Sequence, residues 1–415
     1  MKVLVIGGGI GGLVTALSLA SHGIEAHVYE AASAIEPLGV GINLLPHAVR
    51  RLDRLGAMEP LLDIGIETAE LAYFNNLGQQ VWREPRGRSA GYSWPQISIS
   101  RGALQVALRD VVRRALGDSH LHLGHRLVRT EQPDDSGVIA HFVDPNGRRL
   151  GAIEADALVG ADGIHSAVRK QLHPAEGPPH WNGGLIFRAV SQSAPFLSGR
   201  TQFMAGGRQT FIAYSISKHH ETAGRSLTNW AARFFVDTAR GFPPEDWNRR
   251  GRLEDFLPRY LDWRFDWLDI PALIGAAEAV YEFPMVDRDP LERWSEGRVT
   301  LLGDAAHAMV PLGSNGASQA ILDAHTLGEM LGACRSQPAS VAAALLRYEA
   351  ERRPRTTEIV ANNRRGGPER VIRIAEERAP NGFAQISDVM SHEELARYAD
   401  DYKRIASFDI ASVNG

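Results

Sequence analysis

Cysteine is nearly absent: Cys334 is the single thiol in 415 residues. One thiol makes no intramolecular disulfide and no Cys-based zinc or iron–sulfur site, and it fits a reducing, cytoplasmic setting. An excess of either charge is also lacking, since 45 Lys+Arg against 49 Asp+Glu leaves −4. No bulk positive field therefore points to nucleic acid or to an anionic membrane surface. The longest stretch free of Lys, Arg, Asp and Glu is Val3 to Ile24. Gly7, Gly8, Gly9, Gly11 and Gly12 interrupt it, and glycine is among the weakest helix formers. A signal peptide or membrane anchor is not expected there. Internal repeats and low-complexity tracts are missing too. What remains is ordinary globular composition, 44% apolar and 23% charged, with material for two or three domains.

The first thirty residues read as a βαβ unit. Lys2 to Ile6 is a buried strand, the glycines make a turn, Leu13, Ala16, Leu17 and Ala20 mark a helix face, and Glu25 to Tyr29 returns as a strand. Helices are expected through Ala48, Leu52 and Leu55, and from Gly102 to Leu116. Ala157 to Val159 and Val299 to Leu302 read as further buried strands. Between Gly183 and Val236 the chain turns aromatic and β-branched, as in a separate sheet. A long helix is predicted over Ala339 to Asn363, kinked at Pro354. Ser391-His392-Glu393-Glu394 reads as a capping box starting a terminal helix.

Gly7, Gly9 and Gly12 satisfy G-x-G-x-x-G between a strand and a helix, and Glu30 ends the next strand where a ribose-binding acid belongs. The first glycine allows the tight turn, the second lets a pyrophosphate approach the backbone, and the third lets helix and strand pack closely. This pattern points to an adenine dinucleotide without distinguishing FAD from NAD. Two further segments follow strands: Asp162-Gly163 with Ser166 and Arg169, and Gly303-Asp304 leading to Pro311, Gly313 and Gly316. An acid after a strand can hold a polyol hydroxyl, and a glycine-lined helix N-terminus can stabilise negative charge on a reduced flavin.

The three motifs, in this order, resemble those of the group-A FAD-dependent aromatic hydroxylases related to para-hydroxybenzoate hydroxylase. The resemblance covers about residues 1 to 360. Pro37 to Asn43, Tyr281 to Pro290 and Gly313 to Asp323 look most like the phenazine-modifying branch. The resemblance implies an α/β architecture: a Rossmann-like FAD-binding domain (1–70, 99–179 and 283–365) interrupted by an α+β substrate domain (71–98 and 180–282), with a helical C-terminal segment (366–415). It implies that Gly7, Gly9, Gly12, Glu30 and Arg101 bind the ADP half of FAD. Asp162 and Gly163 serve FAD and nicotinamide, Asp304 holds the ribityl chain, and Pro311, Gly313 and Gly316 lie against the isoalloxazine. Ser318, where the family often has Asn, leaves the pyrimidine-edge contact open.

The activity implied is hydroxylation of an aromatic or heteroaromatic acid with NADH or NADPH and O2 through a flavin C4a-hydroperoxide, with or without decarboxylation. The one fingerprint would hold FAD, so the nicotinamide binds transiently elsewhere or an external reductase supplies electrons. His307 is a candidate near the flavin, with a packed histidine the equal alternative. Phe203, Phe211, Tyr214 and Trp230 are candidate substrate contacts, with core packing the alternative for each. His120, His122 and His125 read as a solvated strand edge rather than a metal site, and Arg352-Arg353-Pro354-Arg355 as a solvated helix face. Trp263 to Pro271 faintly suggests a halogenase motif at the wrong spacing. A flavin-dependent halogenase and a non-catalytic flavin-binding carrier stay open, as do monomer and homodimer.

Overall fold

A computed structural model describes residues 1–36, 39–133, 137–240, 249–263 and 265–415; Pro37, Leu38 and Arg264 from the stretches above lie outside the described residues. The central sheet is five-stranded and parallel, in the order Val299–Leu301, Ala157–Gly160, Lys2–Ile6, Glu25–Tyr29, Leu121–His122. Val3, Leu4 and Val5 are all fully buried, because helices cover both faces of such a sheet and leave no polar side for the strand to alternate with. The fingerprint helix, Ile10–Ser21, and the helix Arg101–Leu116 pack in this core.

A second, mostly antiparallel sheet of seven strands is drawn from two separated parts of the chain. Glu70–Phe74 and Gln80–Pro85 supply one side, and strands between His180 and Asp287 supply the rest. Gln96–Ser100 pairs instead with Gly41–Leu44 and Ile66–Thr68 in a small sheet between the two. Side-chain alternation gives the large sheet two distinct faces. On its back, Phe203, Phe211, Ala213 and Trp230 join Phe256, Tyr260 and Trp263 in one aromatic core. On its front, Ile186, Ala231 and Met285 pack against Val310 and Leu312 of the first domain. The strand Tyr281–Asp287 carries the sheet five residues beyond the expected boundary at 282.

The helix Val341–Arg364 continues through Pro354, which removes one backbone donor without ending it. Beyond it, Arg370–Arg378 lays Val371, Ile372 and Ala375 on Leu71, Tyr73 and Met204, covering part of the front face. Ser391 caps His392–Ile405 by accepting from the Glu394 N–H at 3.2 Å. Glu394 turns its carboxylate to Arg378 at 2.9 Å, so only half of the expected capping box forms. Among the described residues, no helix is long and apolar enough to cross a membrane.

Candidate active site

Four of the sequence motifs meet because their strands are parallel. The Gly7 N–H donates to the Tyr29 carbonyl at 2.8 Å, that of Ala161 to Ile6 at 2.8 Å, and that of Leu302 to Gly160 at 2.9 Å. Each bond ties the end of one strand to its neighbour. The glycine turn, Glu30, Asp162-Gly163 and Gly303-Asp304 therefore emerge at one carboxyl edge of the sheet, where open α/β sheets bind ligands.

The fingerprint glycines divide into two kinds. A Cβ on Gly7 would strike the Ala161 carbonyl, and one on Gly12 would strike the Gly7 carbonyl. Those two positions are closed by the chain itself. A Cβ on Gly9 would meet no atom within 4 Å, so the backbone there faces open space. Gly9 caps the helix Ile10–Ser21 with no side-chain acceptor and no acid in the first turn, leaving helix N–H groups free for an anion. Glu30 stands beside them, its carboxylate accepting from the Gly8 N–H at 2.7 Å and from Ala32 at 2.8 Å. Arg101 is exposed at the start of its helix. One turn on, Gln105 Nε2 donates to the Gly8 carbonyl at 2.8 Å, which sets that helix face toward the glycine turn.

Asp162 Oδ2 accepts from the N–H groups of Ala167 and Val168 at 2.7 and 3.3 Å. Its Oδ1 is buried with no partner among the described residues, and burial pushes the carboxyl above its ordinary value. Ser166 and Arg169 of the same motif are turned to structure. Ser166 caps the next helix by accepting from the Arg169 N–H at 2.8 Å. Arg169, 1% exposed, donates to the carbonyls of Ala305 and Ala306 at 3.0 Å each and pairs with Glu176. It thus bolts the Asp-Gly segment to the Gly-Asp segment. Asp304 is exposed between buried neighbours on both sides, its carboxylate turned away from the core.

His307, at the other end of that short helix, is buried. Its Nε2 is 2.6 Å from Asp323 Oδ2, and its ring packs 5.4 Å from that of Trp294. Asp323 also accepts from Arg352 Nε at 2.7 Å, and Arg352 Nη2 donates to Gln319 at 2.6 Å. Arg352 is 1% exposed, which corrects the expectation of a solvated face: the two long helices press together and the buried Asp323 draws it inward. Burial works against ionisation of Asp323, but the His307 and Arg352 contacts outweigh it and hold the carboxyl at about 2. Ser318 accepts from the Leu45 N–H at 3.1 Å, a structural contact. The histidine segment does form a sheet edge, as expected, but its rings are half-buried in a stack, with His122 4.4 Å from Tyr29 and Tyr29 4.5 Å from Phe142.

The loop from Val310 to Gly316 leads into the helix Gly316–Gly332, with Gly313 at φ 65° and Ser314 at φ 55°. Pro311 is exposed at its crest. Val310 and Leu312 meet the front of the large sheet, so that face, and not the back, is turned toward the FAD-binding half. This moves three expected contacts. Phe203, Phe211 and Trp230 lie in the back-face core, all fully buried, because strand alternation fixes them opposite to the crevice. Tyr214 alone is on the front, paired in register with Asn229.

Beside Tyr214 stands Arg188, which sequence reasoning missed. It lies deep in the fold yet part of its surface is open. Its Nη2 donates to the Gly41 carbonyl at 2.7 Å, it bonds the Tyr214 oxygen, and its Nε has no partner. No described Asp or Glu pairs with it. Burial pushes the guanidinium below its ordinary value, and the like charge of Arg101 acts in the same direction. Nearby, Asn229 Nδ2 is buried without an acceptor. A lone Arg within an aromatic strand is the signal that alternation analysis could have used.

Comparison with known proteins gives consistent answers. Residues 1–363 match the family described as FAD binding domain. The chain is 45% identical over 376 residues to phenazine 1,6-dicarboxylic acid hydroxylase PhzS of Lysobacter antibioticus, covering 89% of this chain and 91% of that one. It is 34% identical over 425 residues to 3-amino-4-hydroxybenzoate 2-monooxygenase PtnB3 of Streptomyces platensis, covering 99% and 97%. Among solved structures, Klebsiella pneumoniae HpxO complexed with FAD and uric acid superposes with a TM-score of 0.75 at 25% identity, covering 99% of this chain and 97% of that one.

Proposed function

Since the chain belongs to the FAD-binding class A aromatic hydroxylases and is an FAD-dependent aromatic monooxygenase, we propose that its substrate is a carboxylated, phenazine-like aromatic seated on the front of the large sheet with its carboxylate on Arg188. Family membership favours oxygen transfer over halogenation and over ligand carriage without turnover. NADH or NADPH supplies the electrons. The observation that carries the substrate reading is the deep-set guanidinium without an anionic partner. A buried charge left unpaired is costly, and a ligand carboxylate is the partner that offsets it. The similarity to an enzyme named for a phenazine dicarboxylic acid supports the same class.

The residues present fit FAD: an open Gly9 cradle, a helix N-terminus, Glu30, an orphaned Asp162 oxygen and an outward Asp304. Bound there, the flavin supplies oxygen activation once a nicotinamide has reduced it. The protein's own work is positional. Arg188 donates to the Tyr214 oxygen, which frees the Tyr214 proton for a substrate oxygen. Ile186, Ala231, Met285, Val310 and Leu312 form apolar walls that exclude water. The N-terminus of Gly316–Gly332, with no acid in its first turn, favours negative charge in front of it.

The test is a panel of phenazine and benzene carboxylates, each beside its carboxamide, scored for nicotinamide oxidation and product mass. Stimulation by the acids and not by the amides is expected, and product masses separate simple hydroxylation from replacement of the carboxylate. Equal stimulation by acid and amide overturns the carboxylate assignment.

A further inference from the structure

The loop from Val310 to Gly316 is gripped from behind by Asn363, at the end of the family-matched 1–363, and by two residues beyond it. Glu369 is buried, at 7% exposed, and accepts from the Gly313 N–H at 3.2 Å through Oε1. Through Oε2 it accepts from Arg233 Nη1 at 3.1 Å, and Arg233 stands on the front of the large sheet, bonded also to Thr210 at 3.0 Å. Tyr402, 3% exposed on the terminal helix, donates to the Leu312 carbonyl at 3.3 Å. Its ring occupies the place a Gly313 side chain would take. Asn363 donates to the carbonyls of Val310 and Leu312 at 3.2 and 3.4 Å. The loop between the two lobes is thus held at Val310, Leu312 and Gly313.

We propose that Glu369 is a positioning residue for the known reaction: it joins Arg233 of the substrate-facing sheet to the Gly313 N–H and so fixes the loop that faces the flavin, with Tyr402 as its second anchor. The inference rests on the flavin-facing assignment of that loop. The bond is charge-assisted on one side, and on the other it holds a left-handed turn in which Ser314 stands at φ 55°, so the loop conformation depends on the carboxylate. Loosening it shifts the ring environment. The two electrons of the nicotinamide then reduce O2 to hydrogen peroxide, instead of one oxygen atom entering the substrate and the other leaving as water.

The experiment compares the wild type with Glu369→Gln and with the double change Glu369→Gln, Arg233→Met. The first keeps the volume but turns one acceptor into a donor, and the second removes the buried charges together. Three readouts are taken on the FAD-loaded protein: the visible band of bound flavin, its midpoint potential, and the ratio of peroxide to product. The expected result is a shifted band and potential, with about a fivefold rise in peroxide per product. Glu369→Asp should restore part of the wild-type ratio. If melting temperature falls while band, potential and ratio stay at wild-type values, Glu369 is only a packing residue and the proposal fails. Should neither Gln chain fold, Tyr402→Phe must give the same changes in smaller measure, and no change there overturns it equally. Failure of the substrate assignment looks different: no acid on the panel stimulates turnover, while the flavin band of Glu369→Gln still moves.

Discussion

Asp323 Oδ2 sits 2.6 Å from His307 Nε2, buried beside the short helix that opens with Asp304. With Arg352 on its other oxygen, Asp323 is a keystone of the FAD-binding half. Replacing it by Ala leaves Arg352 buried and unpaired, and should cost about 3–5 kcal/mol of stability. The folded carboxyl titrates at about 2, below its unfolded value near 4. Its contribution is complete above the unfolded value and is lost as pH falls through the folded one. The stability gap between wild type and Asp323→Ala should therefore be constant near about pH 7 and narrow by about 2–3 kcal/mol between about pH 4 and 2. Urea melts across that range check it, and a gap that widens on acidification contradicts it.

Gly9 and Gly12 should respond in opposite ways to alanine. At Gly9 the added methyl enters open space, so the apoprotein should melt as the wild type does while FAD affinity falls steeply. At Gly12 it strikes the Gly7 carbonyl, so the apoprotein itself should lose about 1–3 kcal/mol. Thermal melting with and without FAD separates the two. A Gly9→Ala chain that binds FAD normally would remove Gly9 from the cradle.

Arg188→Met should leave the protein yellow and folded while kcat/KM for a carboxylated substrate drops about 100-fold. Loss of preference for the acid over its carboxamide is the diagnostic. Unchanged preference would place the substrate carboxylate elsewhere on the front face.

Phe211→Ala and Trp230→Ala should each destabilise the protein by about 3–5 kcal/mol through cavities in the back-face core. Substrate KM should move little at temperatures where the variants remain folded. A large KM change with little loss of stability would put those rings in the crevice after all.

Much of this was legible in the chain. The glycine turn, the strands before Gly7 and Asp304 and the helix after Gly316 depend on local periodicity and backbone freedom, which neighbouring residues encode. Strand alternation likewise requires Phe211 and Tyr214, three residues apart, to point to opposite faces. It was silent on which face meets the crevice, because that is set by Val310 and Leu312, nearly a hundred residues onward. Arg352 looked solvated among its basic neighbours until Asp323 came within reach.

Local pattern thus fixed a dinucleotide turn and two acid motifs at strand ends, since these need only short-range φ, ψ and hydrophobic period. Tertiary structure alone brought them to one edge, left Arg188 without an anion, and set Glu369 and Tyr402 behind Gly313. Those outcomes turn on contacts between distant segments, and burial assigns a side chain its partners only once the sheets and helices have packed.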